Sequence, residues 1–305
     1  MNRVLKIDTE RINLVYWNVP NFGDFLGPYI VSKLSDKKIV HKTFYHGLIN
    51  SIKQLIYSLI HFDLKGLKCN LYFWENNLLS VGSILGWGNK KSVVWGSGFI
   101  SENQSFRGGT ICALRGKYSD IKLREEGFQG SSVYGDPALL LPLFFSPNVT
   151  KTQEIAIIPH CSETDFFIEK LGNKYKIIDL RTTKVEKVIT EITSCKKVLS
   201  TSLHGLIVSH AYGIPALWIR NKKLHNSNFK FFDYFSSVGI EEYEGFLNID
   251  EILFSESSYN LLFDQNKDKC LPNVDLKSIQ KALLCAAPFE VKDIFFYKLQ
   301  SCKNE

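Results

Sequence analysis

Short apolar runs that stop at a glycine, a hydroxyl or an arginine recur along this chain, and they limit its fold more than any other feature. The first, residues 12–16, ends in the polar loop Trp17-Asn18-Val19-Pro20-Asn21-Phe22-Gly23-Asp24, and a helical pattern follows over 25–34. Strand, glycine-containing loop and helix make the opening unit of an open parallel sheet, whose ligands sit beyond the strand C-termini. Further strands are expected at 80–84, 92–96, 110–114 and 132–134, each meeting a Gly or Arg at or just past its end. Runs that are apolar throughout, rather than alternating, belong to sheets covered on both faces.

A Pro-rich connection from Pro137 through Pro142 to Pro147 breaks this rhythm. The second half restarts with Glu154-Ile155-Ala156-Ile157-Ile158-Pro159-His160. Strands at 174–180, 197–200 and 215–219 follow, separated by helical segments near 162–171, 185–194 and 206–212. The expectation is an α/β protein: two Rossmann-like domains, 1–147 and 148–305, facing a cleft in a GT-B-like plan. Two late segments, 279–287 and 291–300, read as packing helices, the C-terminal one crossing back to the first domain.

The 305 residues suffice for two ordinary domains, and 45% hydrophobic with 22% charged residues is a globular composition. Lys and Arg outnumber Asp and Glu by 37 to 31, a net charge of +6 that suits an anionic substrate, a membrane surface or a plain solvated face. No basic run is interleaved with aromatics, which argues against nucleic acid. Seven scattered Cys without a C-x-x-C pair point to a reducing compartment rather than a disulfide or zinc framework. His41, His46, His61 and His225 lack metal-ligand spacing. The N-terminus has no apolar signal-like run, and no stretch reaches membrane-span length, so a cytoplasmic location is expected.

The strongest local signal is Val198-Leu199-Ser200-Thr201-Ser202-Leu203-His204-Gly205-Leu206. An apolar strand runs into hydroxyls, and a His-Gly pair then opens an apolar helix. The hydroxyls can cap that helix, and its free N–H groups and dipole can hold a phosphate or carboxylate. His204 is then either a residue at the anion-binding end or a packed side chain beside a cap, whereas His210, further along the helix, reads as structural. Arg115 stops a strand beside Gly116, where a guanidinium fork can bind an oxyanion or form a salt bridge to the other half. Asn21, Gly23 and Asp24 form the first loop, and Gly96-Ser97-Gly98 is a donor-rich turn. Asp136, in Gly135-Asp136-Pro137-Ala138, and His160 both stand at strand ends.

In order along the chain, these stations resemble the polysaccharide pyruvyltransferase family. The resemblance covers roughly residues 12–240 and includes Lys230-Phe231-Phe232-Asp233-Tyr234-Phe235. It implies a GT-B-like fold, phosphoenolpyruvate as donor, and a pyruvate ketal formed on a sugar of a bacterial surface polysaccharide such as a capsule. It assigns Arg115 to gripping the donor and His204 to catalytic acid. Asn21, Gly98, His160, Ser202 and Gly205 join the substrate-binding set. Leu203 departs from the family, many of whose members have Arg there; Lys117 or Arg220 can compensate.

Protonation of the donor methylene by His204 would make its central carbon electrophilic. A sugar hydroxyl could then add while Asp24 or Asp136 takes its proton. No metal or cofactor beyond the donor is required. The acceptor is expected to be lipid-linked at the inner face of the cytoplasmic membrane, where the amphipathic segment 48–62 could rest; packing into the core is the other reading of that segment. Two other functions fit the same plan, a nucleotide-sugar glycosyltransferase and a non-catalytic binding module in polysaccharide assembly.

Overall fold

The structure, a computed structural model, describes residues 10–44, 48–70, 74–221 and 227–301. The first parallel sheet begins with β1 (Arg11–Val15), α1 (Phe22–Ser35), β2 (Lys38–Lys42), α2 (Leu48–Ile60) and α3 (Leu64–Cys69). It continues with β3 (Asn77–Leu79), β4 (Ser92–Ser97), β5 (Thr110–Leu114) and α4 (Lys117–Glu125). Its strand order is β2-β1-β3-β4-β5, with every pairing parallel. Chain order therefore reverses at β1, the position where open sheets of this kind leave a crevice for ligand.

The second parallel sheet is built from β6 (Gln153–Ile158), α5 (Thr164–Leu171), β7 (Lys176–Ile177) and α6 (Val185–Thr193). β8 (Cys195–Ser200), α7 (Leu203–Ala211) and β9 (Ala216–Trp218) complete it in the order β7-β6-β8-β9. It too is parallel throughout, and it reverses at β6. Helices α8 (Phe229–Val238), α9 (Ile249–Ile252), α10 (Glu256–Gln265), α11 (Leu276–Cys285) and α12 (Asp293–Ser301) follow. The protein is thus mixed α/β with two parallel sheets.

One apolar cluster runs through both sheets, joining Leu14, Phe22 and Trp95 to Ile158, Leu206 and, on α11, Leu283. Each such side chain, fully buried, contributes about 1.5–3 kcal/mol, more than the ~1 kcal/mol of a typical hydrogen bond. Packing therefore dominates the join, and hydrogen bonds fix its register. Trp95 Nε1 donates to the Leu283 carbonyl at 2.9 Å, Gln280 Nε2 to Leu139 at 2.7 Å, and the Lys292 N–H to Leu34 at 3.1 Å.

Several expected elements differ. The strand expected at 80–84 ends at Leu79, and a bend containing Gly82 (φ 108°) takes its place. The 132–134 strand reduces to a single bridge between Leu114 and Tyr134, and 174–180 to the two residues of β7. The Pro-rich connection is a 3-10 helix, Pro137–Leu143, with Asp136 Oδ1 accepting from the Ala138 N–H. β2 was not anticipated. Its sequence, Lys-Ile-Val-His-Lys, lacks a continuous apolar run because it lies at the sheet edge, where charged residues suppress further pairing.

Candidate active site

The C-terminal ends of the two sheets meet, and the N-termini of α1 and α7 face each other there. Asn21 caps α1, its Oδ1 accepting from the Gly23 N–H at 3.0 Å, while its Nδ2 reaches Cys161 Sγ at 3.9 Å. Gly23 packs on the His204 imidazole so closely that a Cβ would lie 2.3 Å from Nδ1. On α7, Ser202 occupies the N-cap position, but its hydroxyl makes no capping bond. The capping expected from the hydroxyl run therefore does not form. Ser200 Oγ is turned toward the Ile158 and Ser202 carbonyls. Thr201 Oγ1 donates to Glu163 Oε2 at 2.5 Å and accepts from the His160 N–H. The first turn of α7 thus lacks a side-chain cap, the condition in which a helix start attracts an anion. Gly205 permits α7 to lie on the strands, since a Cβ would strike Ser200 Oγ and Ile158.

His204 Nε2 and Asp136 Oδ2 face each other at 3.9 Å, both buried and neither with a hydrogen-bond partner among the described residues. An oxygen at about 2.8 Å from each could bridge them. Burial, helped by the charges of Arg115, Lys230 and His160, pushes the His204 imidazole from its ordinary 6.5 down to about 3. Burial likewise lifts the Asp136 carboxyl from 3.8 to about 6, against the Ala138 hydrogen bond and the Arg115 charge.

Arg115 is fully buried, and its fork is occupied. Nε donates to Asp233 Oδ2 at 2.9 Å, Nη1 to Ser83 Oγ at 2.6 Å and Nη2 to the Phe99 carbonyl at 2.6 Å. Asp233, on α8, also accepts from the N–H and hydroxyl of Ser119. Of the two readings of Arg115, the salt bridge between halves is the one this geometry contains; its charge reaches the site, but its bidentate fork is not presented to a ligand. Gly98 makes room for this pair, and Gly116 for the α8 main chain that carries Asp233. A Cβ on Gly98 would lie 2.5 Å from Asp233 Oδ2, and one on Gly116 would overlap the Asp233 carbonyl. The missing Cβ of Gly98 thus leaves space for the ion pair. Gly96 (φ 85°) does the same for the Asp136 loop, its missing Cβ leaving space for Pro137.

Lys230, on α8, which sequence reasoning quoted within a motif but did not select, holds its ammonium 5.3 Å from the Phe231 ring centroid. Its Nζ has no hydrogen bond or ion pair among the described residues, and burial with the Arg115 charge lowers it from 10.5 to about 8. Its segment reads as a Phe-rich amphipathic helix, and the one available signal was an isolated lysine inside that run. His160, partly buried after β6, is held by Ser162 at 2.8 Å, and burial and Lys230 lower it to about 4. Leu203 is buried in the core. Of the suggested compensating residues, Arg220 is paired with Glu244 and Lys117 is exposed at the start of α4, so Lys230 is better placed than either. Asp24 lies in the first turn of α1 with its carboxyl raised by burial from 3.8 to about 7. His210 is structural, bonded to the Tyr234 hydroxyl and the Ala216 carbonyl. His46 and His225 lie outside the described residues.

Parallel α/β sheets whose strand ends gather two imidazoles, two carboxyls of raised pKa and the charges of Arg115 and Lys230 define a centre suited to a small anionic substrate. Residues 21–223, more than half of the chain, match the polysaccharide pyruvyl transferase family, and the chain belongs to that family. It is also 30% identical over 231 residues to an uncharacterised protein, L143, of Acanthamoeba polyphaga mimivirus, a match spanning 72% of each chain. Among the described residues no helix is long and apolar enough to cross a membrane.

Proposed function

We propose that the protein transfers the pyruvyl group of phosphoenolpyruvate to two hydroxyls of a surface-polysaccharide sugar or its precursor, forming a pyruvate ketal, in a GT-B-like arrangement of two Rossmann-like halves. The observation that carries this reading is the convergence of Arg115, Lys230 and His160 on His204 at an uncapped helix start. A carboxylate and a phosphate on one small donor need such a concentration of positive charge.

In this mechanism Lys230 and the first-turn N–H groups of α7 hold the donor, and Arg115 adds its field from within the fold. The bound anion raises the His204 pKa, and the imidazolium protonates the donor methylene carbon, which becomes the methyl group. A sugar hydroxyl adds to the central carbon, giving its proton to Asp24. The second hydroxyl then displaces inorganic phosphate by C–O cleavage, and its proton leaves with the phosphate. Two O–H bonds, the C=C π bond and the C–O bond to phosphate give way to one C–H bond, two C–O bonds and one O–H bond on phosphate. Asp24 is the better base, being half-buried with a raised pKa, whereas Asp136 is fully buried and aimed at His204, which it orients. No cofactor beyond the donor enters the scheme.

The reading extends to a lipid-linked acceptor and a cytoplasmic enzyme visiting the membrane face. On and after α2, Ile49, Ile60, Phe62 and Leu64 are each about two-thirds or more exposed, so this segment does not pack its apolar residues into the core. The helix carries no acidic residue and one lysine, Lys53, and Lys65 and Lys68 follow on α3, a combination suited to anionic lipid.

The test combines the purified chain, phosphoenolpyruvate and candidate lipid-linked oligosaccharides. Inorganic phosphate release and mass spectrometry of the sugar are read together. Acceptor-dependent phosphate release with a ketal on the sugar is expected; phosphate release that leaves every acceptor unmodified, or no turnover with any, would sink the reading.

A further inference from the structure

Beyond the C-terminal ends of β1 and β2 lies a cavity of about 480 Å³, distinct from the His204 centre and within the ~300–1,000 Å³ usual for small-molecule sites. Tyr16 and Trp17 form one wall, Trp87 another, and His41, Lys65 and Asn70 supply polar groups. The Trp17 and Trp87 rings are 5.4 Å apart and inclined at 50°. They make an angled corner rather than the parallel slot that a flat nucleobase fills.

Asn70 is the telling residue. It is 2% exposed, yet neither Oδ1 nor Nδ2 has a hydrogen-bond partner among the described residues. Leaving a buried amide unsatisfied costs free energy, so such groups are uncommon without a purpose. Its position is fixed by its main chain. The N–H donates to Gly66 at 2.9 Å, and the carbonyl accepts from Lys42 Nζ at 3.3 Å, with Lys42 held by Glu75. A primary amide offers one acceptor and two donors side by side, which matches a pair of neighbouring hydroxyls, each able to give and receive. His41 adds a second fixed group: its Nε2 donates to the Tyr16 carbonyl, leaving Nδ1 as an acceptor in the neutral ring.

We propose that this cavity is a saccharide subsite that holds one ring of the acceptor, its C–H face on Trp17 and two adjacent hydroxyls on the Asn70 amide. The inference rests on the pyruvyl-transfer reading for its role, and the 16–21 connection supplies the link. That one loop begins at Tyr16 and Trp17 in the cavity and ends at Asn21, the cap of the helix carrying Gly23 and Asp24. A sugar seated here therefore lies along the loop that leads to the base.

The experiment uses the full chain and the methyl glycosides of glucose, galactose, mannose and N-acetylglucosamine, read by saturation-transfer NMR and tryptophan fluorescence. Phosphoenolpyruvate binding is measured separately by calorimetry. Trp17→Ala removes a half-exposed ring, and Asn70→Leu removes an unpaired amide and should leave the thermal midpoint unchanged or raise it. At least one glycoside should bind, and each substitution should weaken it by about tenfold or more, with donor binding intact. Failure of every glycoside to bind, or binding that survives both substitutions, overturns the subsite. Should Asn70→Leu not fold, Trp17→Ala decides alone. Loss of donor binding by the unaltered protein would instead count against pyruvyl transfer, while the glycoside data still judge the cavity.

Discussion

Gly23 and His204 touch: the α-carbon of one lies against the imidazole of the other, and no side chain fits between them. Gly23 is in the first turn of α1 without a positive φ, so alanine there suits the helix and clashes only with the ring. Gly23→Ala should therefore keep the fold and displace His204. Turnover should fall about 100-fold, the usual effect of misplacing a reacting group by an ångström. Unchanged turnover in the folded variant would show that His204 need not be held there.

Lys230 and Arg115 should separate cleanly in their effects. Lys230→Met removes a partly buried ammonium whose lowered pKa shows that the fold does not favour its charge, so stability should hold or rise slightly. Donor affinity should drop about 10–100-fold, as for loss of a charged hydrogen bond. Arg115→Lys instead strands Ser83 and the Phe99 carbonyl in a buried network and should cost about 1–3 kcal/mol of stability. Calorimetry and denaturant melts on both variants check the contrast; a destabilised Lys230→Met with normal donor affinity would reverse the assignment.

The pH behaviour follows from the site's charges. His204, near 3 without ligand, is neutral at pH 7, and an anion beside it favours the protonated ring. Donor binding near pH 7 should therefore take up protons, so its apparent heat should vary with the ionisation enthalpy of the buffer. His204→Gln should abolish that uptake. In turnover the rate should decline as pH rises through the His204 pKa of the complex, because the acid is lost. It should also decline as pH falls below about 7, because Asp24 is protonated. Asp24→Asn should remove the acid-side limb and slow turnover about 10²–10⁴-fold. Buffer-independent binding heat would remove His204 from the proton path.

The exposed face of α2 predicts association with anionic lipid vesicles in a flotation assay. Ile52→Glu combined with Ile56→Glu places two charges on exposed positions and should abolish it without loss of stability. Turnover of a short, soluble acceptor should be unaffected. Vesicle binding that survives the double substitution would point to another surface.

His204 was legible in the sequence because its signal is local: an apolar strand, three hydroxyl residues, then His-Gly at a helix start. Asp136 and Asn21 stand at strand ends or turns for the same reason. Lys230 was not, since a lysine within Phe229–Val238 looks like the solvated side of an amphipathic helix until α8 is packed against α4. Arg115 was found, but its partner lies 118 residues away, and no spacing rule could have shown that its fork was taken. β2 was missed because an edge strand is selected for charge, which hides the apolar run used to recognise strands.

Gly98 exists in the shadow of the Arg115–Asp233 side chains and Gly116 in that of the α8 main chain, and the two should diverge differently. A descendant that replaced the pair with two smaller apolar residues would free Gly98 to drift, whereas Gly116 would stay fixed, because a Cβ there meets the main-chain carbonyl at position 233 whatever side chain that position carries. Gly98, Arg115 and Asp233 should accordingly be inherited or lost together, so a relative lacking Gly98 should have rebuilt the pair as well, while Gly116 outlasts it.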